Sequence, residues 1–143
     1  MSFSPNTTPT FTKQPRIGLA QIANADASNL KTLVTAGANG SKVMGINASS
    51  TDTSGRDIQL TVTRSSVNYI LWTVTVGAGA GNAGSTPSVD LMTTTDVPAG
   101  LLCVDHDGQH YINLESGDTL SVSSLTTVTS GKFVSAAATY EDF

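Results

Sequence analysis

Apolar and polar residues alternate with a period of two along much of this chain. Over residues 56–63, Ile58, Leu60 and Val62 point one way, while Asp57, Gln59, Thr61 and Thr63 point the other. In Tyr111-Ile-Asn-Leu-Glu-Ser-Gly-Asp-Thr-Leu-Ser-Val122 the same alternation flanks a turn. Ile112 and Leu114 share one face, and Leu120 and Val122 join them across Glu115-Ser-Gly-Asp118. Gly117 can take the positive φ that a reversal requires, and Asp118 can bond the neighbouring backbone. Strands are predicted near residues 16–23, 30–36, 42–48, 56–64, 67–76, 88–92, 101–105, 110–114, 119–124 and 132–140. Gly/Asn/Asp/Pro turn signals separate nearly all of them, at the spacing of an all-β sandwich or barrel. No segment sustains a 3.6-residue apolar period, and only residues 23–33 have room for a short helical turn.

The longest predicted strand, Val67-Asn-Tyr-Ile-Leu-Trp-Thr-Val-Thr-Val76, places Ile70, Trp72, Val74 and Val76 in one phase. The core is therefore expected to hold Ile58, Leu60, Val62, Ile70, Trp72, Val74, Ile112, Leu114, Leu120 and Val122. Tyr69 and Leu71 fall on the opposite, otherwise polar face. There they are either isolated exposed apolar groups or part of a subunit interface.

At 143 residues the chain is long enough for one sandwich core. Residues 1–15 carry prolines at 5, 9 and 15, which deny donors to a sheet and predict an extended arm ahead of a sandwich domain at 16–143. Phe3, Phe11, Lys13 and Arg16 are the groups with which such an arm would grip a neighbouring surface. The amino terminus has neither a basic nor an apolar signal region, and no run approaches the ~20 apolar residues of a membrane span, so neither secretion nor membrane insertion is expected.

Charged residues make up only 13% of the chain, whereas serine and threonine supply roughly a quarter, well above ordinary usage. The surface is thus polar with few charges. The net charge is -4 and the seven basic residues are scattered, which argues against nucleic acid as a partner.

No cofactor, metal or catalytic group is expected. Gly79, Gly81 and Gly84 formally match a dinucleotide-binding glycine pattern, but Ser85-Thr-Pro-Ser-Val-Asp-Leu follows in place of the helix that would meet a phosphate, so a mobile inter-strand loop is predicted. Asp105-His-Asp-Gly-Gln-His110 gathers two carboxylates and two imidazoles. It fails the calcium-loop pattern at the sixth and twelfth positions and reads as a solvated hairpin turn. Cys103, the single cysteine, lies in Leu101-Leu-Cys-Val104 and is expected to be a small buried hydrophobe. No serine occupies a nucleophile elbow, so an enzyme is not predicted. Trp72 as a sugar platform conflicts with its phase.

The Pro-punctuated arm, Lys31-Thr-Leu-Val-Thr-Ala-Gly-Ala-Asn-Gly-Ser-Lys-Val43, the Gly/Ala-rich central loop and Leu114-Glu-Ser-Gly-Asp-Thr-Leu-Ser-Val122 together resemble the capsid decoration, or cement, proteins of tailed bacteriophages. The resemblance implies a jelly-roll-like antiparallel β-sandwich, trimerisation and binding to the phage major capsid protein on the virion exterior, after assembly in the bacterial host cytoplasm. It implies stabilisation of the shell by bridging subunits, without catalysis. A fibre or spike domain, or a carbohydrate-binding module reading a host surface ligand, is the alternative.

Overall fold

A computed structural model describes residues 14–93, 97 and 101–143. Among these the strands are β1 (Gln14–Ala23), β2 (Lys31–Thr35), β3 (Ser41–Ser50), β4 (Arg56–Arg64), β5 (Val67–Val76), β6 (Val89–Asp90), β7 (Cys103–Val104), β8 (His110–Leu114), β9 (Thr119–Ser124) and β10 (Phe133–Asp142). The described residues are all-β apart from a 3-10 turn at Asn24–Asp26, inside the segment with room for one. Asp26 holds that turn by accepting hydrogen bonds from the Ala23 amide at 2.8 Å and Lys31 Nζ at 3.0 Å.

All strand pairings among the described residues are antiparallel, and four of them are nested: β1 with β10, β2 with β9, β3 with β8 and β4 with β5. The chain runs outward to the β4–β5 hairpin and returns along itself as a double ribbon. Wound up, that ribbon yields one sheet in the order β1-β10-β3-β8-β7, with β6 also on β3, and a second in the order β2-β9-β4-β5. This is the jelly-roll arrangement of a two-sheet sandwich. Between the sheets lie Val43, Ile46, Val134 and Ala138 from the first, and Ile58, Leu60, Trp72, Val74, Leu120 and Val122 from the second, all buried.

At one margin the sandwich closes tightly. A Cβ on Gly18 of β1 would stand 2.1 Å from the Leu33 carbonyl oxygen of β2, so only glycine permits this approach. At the far margin β7 and β5 end their sheets.

Four local expectations are corrected. Ile70 is 65% exposed and outside the core. Leu60 stands opposite Trp72, but Thr61 stands opposite Ile70, so Leu71 is the extra residue of a β-bulge. A bulge reverses the faces of all residues beyond it. Tyr69 consequently shares a face with Val62, and Leu71 packs partly buried against the core, so neither belongs to the outer face predicted for it. Cys103 is exposed, because β7 contributes only two residues at the sheet margin while Leu102 beside it turns inward. The glycine-rich segment is docked against its neighbours: the Ser50 amide donates to the Ala80 carbonyl at 2.7 Å, the Gly79 amide to the Asp52 carbonyl at 3.0 Å, and Ala80 is buried.

The Glu115-Ser-Gly-Asp118 turn also does more than reverse the chain. Its two strands belong to different sheets, so it crosses the sandwich and sets Leu114 and Leu120 on facing walls of the core. Gly117 has φ +84°, the left-handed region that favours glycine.

Candidate functional site

Asp52 and Asp105 are engaged in holding the fold. Asp52, whose side chain is fully buried, accepts from Arg56 Nε at 2.7 Å, Thr129 Oγ1 at 2.7 Å, the Thr129 amide at 3.0 Å and the Ser54 amide at 3.2 Å. Burial alone would raise its pKa, but the Arg56 and Thr129 bonds outweigh that and hold it well below the ordinary carboxylate range. In the Asp105–His110 turn, Asp105 accepts from the Gln109 and Asp107 amides at 2.9 and 3.0 Å and pairs with Lys42 Nζ at 3.1 Å. The Gln109 bond first, then the Lys42 bond, lowers its pKa. Lys42 Nζ in turn sits 4.7 Å from the Tyr111 ring centroid. His106 and His110 face solvent. Among the described residues no three His, Cys, Asp or Glu side chains converge in a metal-holding group.

Among the described residues two surfaces of apolar character stand out. The first is a cleft of about 360 Å³ at the β5–β7 margin, lined by Val62, Arg64, Tyr69, Leu71, Trp72, Leu101, Cys103, Ile112, Asn113 and Leu114. It lies between the two sheets, with β4–β5 of one on one side and β7–β8 of the other opposite. Tyr69 on its wall is 53% exposed, and exposed Leu101 flanks it. Arg64, the one charged residue of the lining, donates through Nε to Asp118 Oδ1 at 2.8 Å and lies 3.2 Å from Glu115 Oε1. The Asp118 bond raises the Arg64 pKa and lowers that of Asp118, so both stay ionised and the cationic charge is matched.

The second surface is the outer face of β1. Ile17 and Leu19 are 68% and 73% exposed and project side by side at alternate positions. Their cross-strand partners on β10 are Thr139 and Ala137, and further along the same face Ala23 stands opposite Phe133, also partly exposed. None of these groups carries a charge.

Of the residues singled out from the sequence, Tyr69 and Leu71 are brought together on the cleft wall. Arg16 lies within β1 with its Nε 2.7 Å from Asp142 Oδ2, engaged with the sandwich. Phe3, Phe11 and Lys13 lie outside the described residues. Sequence reasoning missed Ile17, Leu19, Arg64 and Leu101. A signal for the first two was present: in Ile17-Gly-Leu-Ala-Gln21 large residues alternate with small ones. That pattern places the small side inward when a second strand crowds the backbone, as β2 does here.

No protein-family model matches the chain, and no curated protein matches it. Among solved structures the chain is similar to one in the cyanophage Pam1 capsid asymmetric unit, with 16% identity, all of this chain and 94% of that chain covered, and a TM-score of 0.44. It is also similar to one in the virus-like particle of the giant freshwater prawn Macrobrachium rosenbergii extra small virus, with 12% identity, coverage of 100% and 89%, and a TM-score of 0.37.

Proposed function

We propose that the protein is a non-enzymatic virion component that binds the outside of a phage capsid as a homotrimer and stabilises the shell by bridging major capsid protein subunits. The observation that carries this reading is the distribution of its apolar surface. Among the exposed apolar groups, Ile17 and Leu19 sit at one margin of the sandwich, and Tyr69, Leu101 and the cleft at the other. Contiguous exposed apolar groups are a mark of partner surfaces. The low content of charged residues, and the phrases shared with cement proteins, support the same reading.

Bridging is a mechanical task for which the arrangement is suited. Several weak contacts held by one rigid body act at high effective concentration, so avidity exceeds single-contact affinity by ~100-fold or more. Gln14 and Pro15 are paired to β10 as the start of β1, so in this proposal residues 1–13, with Phe3, Phe11 and Lys13, supply the further contact as an arm on adjacent capsid subunits. A sugar-reading fibre domain gains no support from Trp72, whose indole is buried and donates through Nε1 to the Leu91 carbonyl at 2.7 Å.

Copy number tests the reading. Purified virions are imaged by electron microscopy and their protein stoichiometry is measured. A number comparable to that of the major capsid protein, at exterior positions, supports cement. A handful per particle, at a tail or fibre, overturns it.

A further inference from the structure

We propose that Ile17 and Leu19 of one copy seat in the β5–β7 cleft of the next, so that the oligomer is held by a head-to-tail contact between two different surfaces. This rests on the homo-oligomeric reading above and names the surfaces that would make it. The two aliphatic side chains are the most exposed large apolar groups among the described residues. The cleft is the matching concavity. Its volume of about 360 Å³ is roughly twice the ~150 Å³ of an apolar cavity that accepts benzene, enough for two aliphatic side chains.

Charge permits the match. The outward neighbours directly beside Ile17 and Leu19 are Gln21, Ala137 and Thr139, all uncharged, and Glu141 opposite Pro15 brings one carboxylate to the end of this face. In the cleft, Arg64 is already matched by Asp118 and Glu115, so an apolar occupant leaves no new unpaired charge.

Topology excludes the chain's own knob as the occupant. β1 and β7 stand at opposite ends of the order β1-β10-β3-β8-β7, four inter-strand steps of about 4.8 Å apart, or ~19 Å. Isologous pairing of the β1 faces would leave the cleft empty. Knob and cleft at opposite margins instead generate a heterologous contact, which closes into a ring when the rotation permits. A threefold ring needs two different surfaces on each copy, and these are the two the sandwich offers.

The test uses the full chain and two separately damaged forms, with mass read by sedimentation and light scattering up to the solubility limit. Leu19→Asp removes the knob and leaves the cleft. Alkylation of Cys103, the single cysteine and a cleft residue, with N-ethylmaleimide obstructs the cleft without altering the sequence. The wild-type chain is expected to be oligomeric and each damaged form monomeric. An equimolar mixture of the two damaged forms is expected to yield a dimer, one intact knob in one intact cleft. Trp72 fluorescence checks the fold of each form. If Leu19→Asp does not fold, Ile17→Ser takes its place, and the alkylated wild type decides by its own mass. Monomeric wild type, an oligomer unaffected by alkylation, or a mixture without dimer overturns the proposal. An oligomer that survives alkylation and still decorates capsids removes this contact and leaves the bridging role standing. A ring that forms as expected but is absent from virions does the reverse.

Discussion

Arg56 Nε lies 2.7 Å from Asp52 Oδ2, and the same carboxylate reaches across 77 positions of sequence to Thr129. One side chain thus ties the β3–β4 connection to the β9–β10 connection at one end of the sandwich.

The depressed pKa of Asp52 makes stability acid-sensitive. A carboxylate whose folded pKa lies below its unfolded value, ~3.9 for Asp, contributes stability that is fully present above the unfolded value and lost as pH falls toward the folded one. Asp118, lowered chiefly by Arg64, acts in the same direction. The melting temperature should therefore be flat from neutral pH to about pH 5 and fall progressively below pH 4. Asp52→Ala, which leaves the Arg56 charge with only the Thr126 and Thr129 hydroxyls, should cost about 3–5 kcal/mol at neutral pH and flatten the acid limb. Calorimetry across pH measures both, and an unchanged acid limb in the variant would contradict the assignment.

Trp72→Ala should cost about 3–5 kcal/mol in urea unfolding, as large-to-small core changes do. Trp72 is also the chain's single tryptophan, so the folded protein should emit at short wavelength and shift red on unfolding. Emission already at the water-exposed wavelength in the native state would refute its burial.

The bulge at Leu71 yields a contrast between near neighbours. Ile70→Thr, on the outer face, should change stability by no more than about 0.5 kcal/mol. Val74→Ala, inside, should cost about 1–3 kcal/mol. Equal losses at both sites in chemical denaturation would mean that the strand continues unbulged.

The two-residue β4–β5 loop, Ser65-Ser66, has φ +50° and +64°, a conformation suited to Asn-Gly. Replacing it with Asn-Gly should stabilise the protein by about 0.5–1 kcal/mol, read as a higher urea midpoint at unchanged slope.

Gly18→Ala should destabilise by at least about 1–3 kcal/mol, the range for overpacking a tight site, because its Cβ has no room beside the Leu33 carbonyl. A melting temperature equal to wild type would show that β1 and β2 can separate at no cost.

The sequence by itself determined the strands and their polarity, because side-chain alternation is a property of the extended backbone and survives without knowledge of the partner. Ile58, Leu60, Leu120 and Val122 were legible in this way, and all are buried. The turn chemistry at Gly117 and Asp118 was legible too, since positive φ and side-chain-to-backbone bonding are local. The tertiary structure alone decided which strands pair, that the turn after Leu114 crosses between sheets, and that Ile70 and Leu71 exchange roles at a bulge. It also decided the two apolar surfaces. Ile17 and Leu19 stand outward because β2 crowds the opposite side of β1, and the cleft lies between strands of the two sheets. Both depend on contacts between residues far apart in the chain, which no local periodicity encodes.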